Sequence, residues 1–173
     1  MKIAVISYSF TGNNEALAKQ IAHNLSVEHI SLSESKKRNY FTIFLDIMFN
    51  RTPKVTPNAT DIDNYDYVIF VAPIWIGQPA FPLRSYLKYL KKHPKKYAFV
   101  TVSGDGNADY IKSVTKRAGS EPEIFASISL NEFLPKEIKD NFKELMNYRL
   151  PESEIISEAE KITAQIKSKI NSV

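Results

Sequence analysis

Short apolar runs alternate with stretches of helical spacing along this chain. Residues 3–7 are apolar and rich in β-branched side chains, which predicts a strand. In 14–24, Leu17 and Ile21 recur with Ala18 and Ala22 beside them and Leu25 just beyond, the stripe of an amphipathic helix. Residues 27–32 alternate like a second strand. "YVIFVA" (67–72) and "YAFVTV" (97–102) are continuously apolar, as in strands buried on both faces. Between them, apolar residues at 83, 86, 87 and 90 predict a helix face. A helix over 110–118, left-handed at Gly119, and a fifth strand over 123–130 come next. Ile155, Ile156, Ala159, Ile162, Ile166 and Ile170 predict a long final helix over 151–170, with Pro151 in its first turn.

Five strands alternating with helices call for an α/β, three-layer sandwich around a doubly wound, mostly parallel sheet. The 173 residues fit a single domain, 1–173. Two segments interrupt the alternation. The excursion at 33–60 carries "YFTIFLDIMF" (40–49), an apolar helix candidate expected either to pack on the sheet or a second copy, or to wall a pocket. Residues 131–150 predict a helical segment, with a short helix over 136–146.

The first strand runs into "SYSFTGNNEA" (7–16), where small hydroxyl and amide side chains surround one glycine and no lysine or arginine follows until Lys19. A helix start presents free N–H groups and about half a positive charge, so a phosphate binds there without a cation. Gly12 lets the backbone come close, and Ser9, Thr11, Asn13 and Asn14 add donors. A capped turn needs only one such residue, Asn13 or Thr11. Neither Gly-x-x-x-x-Gly-Lys-Ser/Thr nor Gly-x-Gly-x-x-Gly is present, so a single terminal phosphate fits best.

The next strand ends carry marks too. "PIWIGQPAFP" (73–82) is a proline-stiffened loop holding the only tryptophan, Trp75, as a flat apolar plate. "SGDGNAD" (103–109) has two glycines that free the backbone to expose its polar groups. A phosphate cradle, an aromatic plate and a polar backbone edge together suit a planar polar heterocycle bearing one phosphate.

On these residues the chain resembles the flavodoxin-like proteins. "SFTGNN" is similar to their Ser/Thr-x-Thr-Gly-Asn-Thr phosphate loop, with Asn14 in place of the last threonine. "APIWIGQPAFP" resembles the Pro-x-Trp-x-Gly loop of one flavodoxin branch, and "SGDGN" stands where their second flavin-contacting loop falls. The resemblance implies a five-stranded sheet ordered 2-1-3-4-5 and bound FMN. It implies that Ser9, Phe10, Thr11, Gly12, Asn13 and Asn14 hold the phosphate, and that Pro73, Ile74, Trp75 and Gly77 flank the isoalloxazine. Ser103, Gly104, Asp105 and Gly106 would address its pyrimidine edge, with Tyr110 nearby.

Composition narrows the chemistry. A 43% hydrophobic content supplies a core. The absence of cysteine excludes disulfides, thiolate metal sites, a cysteine nucleophile and a thiolate-held iron–sulfur cluster. His23, His29 and His93 lack ligand spacing. The opening apolar run is too short for a signal peptide and no stretch reaches the length of a membrane span, so a cytoplasmic protein is expected. The net charge of +4 rests largely on Lys36-Lys37-Arg38 and on Lys88, Lys91, Lys92, Lys95 and Lys96, read as a solvated loop and helix face. No motif for nucleic acid appears.

The expected function is an FMN-binding redox protein that carries electrons to a redox partner protein or a small-molecule acceptor, with no catalytic side chain and no metal. The alternatives are an FMN-dependent NAD(P)H or quinone oxidoreductase and, from another class, a non-redox binding module.

Overall fold

Hydrophobic alternation builds the central sheet. In β1 (Ile3–Ser7), Ala4 and Ile6 face one side and Val5 the other, and all three are buried. The computed structural model describes residues 1–35, 39–49, 51–135, 144 and 147–171. β5 (Tyr67–Val71) and β8 (Tyr97–Ser103) are buried at every position, as their unbroken apolar runs predict. Before β5 come β2 (Glu28–Ser31), β3 (Ser33–Glu34) and β4 (Val55–Thr56); after it come the short β6 (Ile74–Trp75) and β7 (Gln78–Pro79), and β9 (Ile124–Ser129) comes after β8. The main sheet runs β2-β1-β5-β8-β9, all parallel, which in chain order is 2-1-3-4-5.

Helices cover both faces. α1 (Asn13–Leu25) packs beside α6 (Glu152–Asn171) over Val5, Ile69 and Val100, burying Leu17, Ile21, Ile162 and Ile166. On the other face α3 (Arg84–Lys92) and α4 (Tyr110–Ala118) cover Val68, Phe70 and Phe99 with Leu87, Leu90 and Val114. The predicted helix over 83–90 starts later, because Phe81–Leu83 form a 3-10 turn with Pro82 inside it. Gly119 takes the left-handed cap, φ 80°, at the end of α4.

The second strand is shorter than the predicted 27–32. Val27 N–H closes the end of α1 on Ala22 O (3.0 Å), with Ser26 left-handed, while Leu32 N–H donates to Ser7 O beyond the ladder.

The 33–60 excursion is pinned at its base by the antiparallel β3–β4 pair and carries α2 (Tyr40–Met48). Phe41, Phe44 and Met48 are 66, 52 and 57% exposed, so this helix turns an apolar face to solvent where packing on the sheet was one expectation. α5 (Leu130–Phe133) opens the 131–150 segment; the helix predicted over 136–146 lies outside the described residues except at 144. Lys95 is not a solvated cation of a helix face: its ammonium donates to Ile62 O and Tyr65 O, tying the Ala59–Asn64 turn to the start of β8. No helix of the described residues is long and apolar enough to cross a membrane.

Candidate functional site

The sheet order reverses between β1 and β5. In such sheets a crevice opens beyond the carboxyl ends of the strands at the reversal. Here a cavity of about 70 Å³ lies at that edge, lined by Phe10, Thr11, Asn14, Pro73, Ile74, Trp75, Val102, Ser103, Gly104 and Leu130. The three predicted loops therefore meet. Of the predicted residues, Phe10, Thr11, Asn14, Pro73, Ile74, Trp75, Ser103 and Gly104 line the cavity, whereas Ser9, Gly12, Asn13, Gly77, Asp105 and Gly106 stand outside its lining.

The first loop is built by internal bonds. Ser9 Oγ accepts the Gly12 N–H at 2.9 Å, and Gly12 turns the chain at φ 103° into α1. The first helical N–H groups, on Asn13, Asn14 and Glu15, have no acceptor within the helix. The carboxamides expected to hold phosphate are engaged elsewhere. Asn13 Nδ2 donates to Tyr148 O (2.9 Å) and its Oδ1 accepts Leu150 N–H (3.0 Å). Asn14 Nδ2 donates to Val102 O (3.0 Å) and its Oδ1 accepts Val102 N–H (2.9 Å). Both side chains are buried latches, and what they leave for an anion is their backbone N–H groups. No side-chain cap closes α1, so the plain capped turn is not what is built.

Sequence reasoning placed no cation here, and the fold brings one. A Cβ on Gly12 would lie 3.5 Å from Arg149 Nε, so this guanidinium runs along the loop, with Nη1 donating to Asn147 O. No motif announced Arg149; it arrives because Asn13 holds the residues on either side of it.

Trp75 forms edge-to-face contacts with Tyr8, Phe10 and Phe81, with centroids 5.8, 6.1 and 5.7 Å apart. It stands on a hairpin, β6–β7, whose turn residues Ile76 and Gly77 both have positive φ, 50° and 69°. Ile76 is a β-branched residue in a glycine-like conformation and 80% exposed, a strained apolar tip beside the cavity that the sequence did not mark. Gly77 faces the Tyr110 ring.

The third loop is stitched to the end of β9 and the start of α5. Gly104 O accepts Asn131 N–H and Ser129 Oγ–H. A Cβ on Gly106 would fall 2.6 Å from Ser129 Cβ, so this glycine answers to packing. Tyr110 Oη donates to both Asp105 carboxylate oxygens (2.8 and 2.7 Å), and burial together with this carboxylate pushes the phenol up to about 12. Val102 and Leu130 complete the lining; both flank predicted strand ends.

The chemistry of the lining is specific in what it offers. None of its described lining residues is ionisable, so what they offer a ligand is shape and hydrogen bonds. Ser103 Oγ is buried and has no protein hydrogen-bond partner, a polar atom open to a ligand. Among the described residues no cluster of His, Asp or Glu could hold a metal ion.

No protein-family profile and no curated protein matches the chain. Solved structures do. A flavoprotein from Lactobacillus acidophilus, in complex with FMN, is 22% identical with a TM-score of 0.61, over 72% of this chain and 91% of that one. Oxidised flavodoxin 2 from Bacillus cereus is 14% identical with a TM-score of 0.56, over 98% and 99% of the two chains. The two-electron reduced flavodoxin of Megasphaera elsdenii is 17% identical with a TM-score of 0.50, over 84% and 96%. At these identities the likeness establishes the fold: the chain has the flavodoxin-like fold, with the strand order expected from its sequence.

Proposed function

We propose that this chain binds FMN at the crevice beyond β1, β5 and β8 and carries electrons through it. The observation that carries the proposal is the combination of an uncharged cavity, one orphaned buried hydroxyl at Ser103 and a bare helix start beside it. The flavin supplies the redox chemistry when bound. The chain does the rest. The N–H groups at the start of α1 hold the phosphate, with Arg149 as counter-charge. Ser103 Oγ and the backbone of Gly104 address the polar ring edge. Trp75 offers an apolar face and helps to exclude water. The cavity is smaller than a tricyclic ring, so its lining must give way to admit one.

The solved neighbours support the reading, since one is a complex with FMN and others are flavodoxins. No described residue of the 33–60 excursion lines the cavity, which favours an electron carrier over a reductase with a substrate pocket. The electron donor and acceptor would be a redox partner protein or a small molecule.

The visible spectrum of the purified protein, followed by titration of the apo form with FMN and with riboflavin, tests the proposal. Tight FMN binding with much weaker riboflavin binding is the expected result. Binding of neither removes the redox assignment.

A further inference from the structure

A second concave site adjoins β7, where Gln78 pairs with Trp75. It measures about 480 Å³ and is lined by Thr52, Gln78, Arg84, Lys88, Lys91, Lys116 and Arg117. Arg84, Lys88 and Lys91 stand on one stripe of α3, while Lys116 and Arg117 close the last turn of α4. Five cations thus face one groove; among the described residues no carboxylate lines it, although the buried Asp46 acts on Arg84.

The two arginines are held in place. Arg84 is buried, lies over the Phe81 ring at 3.8 Å and donates from Nη1 to Arg51 O at 2.9 Å. Arg117 donates from Nε and Nη2 to Gln78 Oε1 at 3.0 and 2.8 Å. Burial first and then the Arg117 charge lower the Arg84 guanidinium to about 10, against the opposing pull of Asp46; burial lowers Arg117 as well. Cations crowded in a concave, partly desolvated site focus a positive potential, and an anion there relieves their repulsion. The lysines at the rim supply point charges for phosphate oxygens, and the two held guanidinium groups add fixed positive charge behind them. A flat basic patch would suit an acidic protein; a groove of this size suits a small ligand.

We propose that the groove between α3 and α4 binds a polyphosphate group of a nucleotide. The proposal does not depend on FMN binding. Two sources share this chemistry: a nucleoside di- or triphosphate, and a dinucleotide whose ribose carries an extra phosphate.

The test is calorimetric titration of the full chain with pyrophosphate, ATP, NADH and NADPH at low and moderate salt. Pyrophosphate is expected to bind one to one, more weakly as salt rises. Lys88→Gln with Lys116→Gln, both exposed and free to change without disturbing the core, should weaken it about tenfold or more. The control pair Lys161→Gln with Lys167→Gln, on α6, removes the same charge elsewhere and should leave it within about twofold. ATP binding as tightly as pyrophosphate assigns the groove to a nucleoside polyphosphate, and NADPH binding about tenfold tighter than NADH assigns it to the dinucleotide phosphate. No binding by any of the four, or an equal loss in the control pair, overturns the proposal.

Discussion

Asn14 on α1 and Val102 on β8 exchange two hydrogen bonds, of 3.0 and 2.9 Å, 88 residues apart in sequence. Here a side chain takes the place of a neighbouring strand. Asn14→Ala leaves the buried N–H and C=O of Val102 without partners and should cost about 2–4 kcal/mol. Urea denaturation measures it, and a loss under about 1 kcal/mol would show that the pair adds no net stability.

If FMN binds as proposed, Arg149 tells a phosphate contact from a ring contact. Arg149→Gln should weaken FMN about three- to tenfold, leave riboflavin unchanged, and matter less in high salt, because the guanidinium is partly solvated. Equal loss for both flavins would place the effect in loop structure.

The hairpin tip and the third loop respond oppositely to substitution. Ile76→Asn relieves a left-handed β-branched residue and should stabilise the fold by about 1 kcal/mol. Gly106→Ala forces a Cβ against the Ser129 side chain and backbone at φ 62° and should cost about 3 kcal/mol or more. Thermal melts of the two variants should shift in opposite directions.

His29 reports on acid stability. Its Nε2 and Ser7 Oγ lie 2.8 Å apart, and burial lowers its pKa below 6.5, offset in part by Glu15. A lowered native value means that the unfolded chain binds the proton more readily. The linked stability is therefore complete above 6.5 and is lost as pH falls through the native value. Denaturation at stepped pH should show this slope, and His29→Gln should flatten it.

The sheet was legible in the sequence because its three central strands are buried on both faces and leave unbroken apolar runs. The three loops were legible for the same reason: each comes directly after one of those runs. Their internal bonding was not. Asn13 and Asn14 look like phosphate donors in a local motif, yet their partners lie at 148, 150 and 102, and no local pattern encodes such pairings. Gly106 reads as loop freedom and proves to be close packing. Lys88 and Lys91 read as solvated charge because the sequence does not reveal that α4 brings Lys116 and Arg117 opposite them.

The Asn13 latch orders events in time. It closes on Tyr148 and Leu150, 135 and 137 residues downstream. During synthesis the first loop emerges long before residues 148–150 and remains unbraced until they follow. A nascent chain cut short of those residues would carry the loop's sequence without the brace that holds its shape.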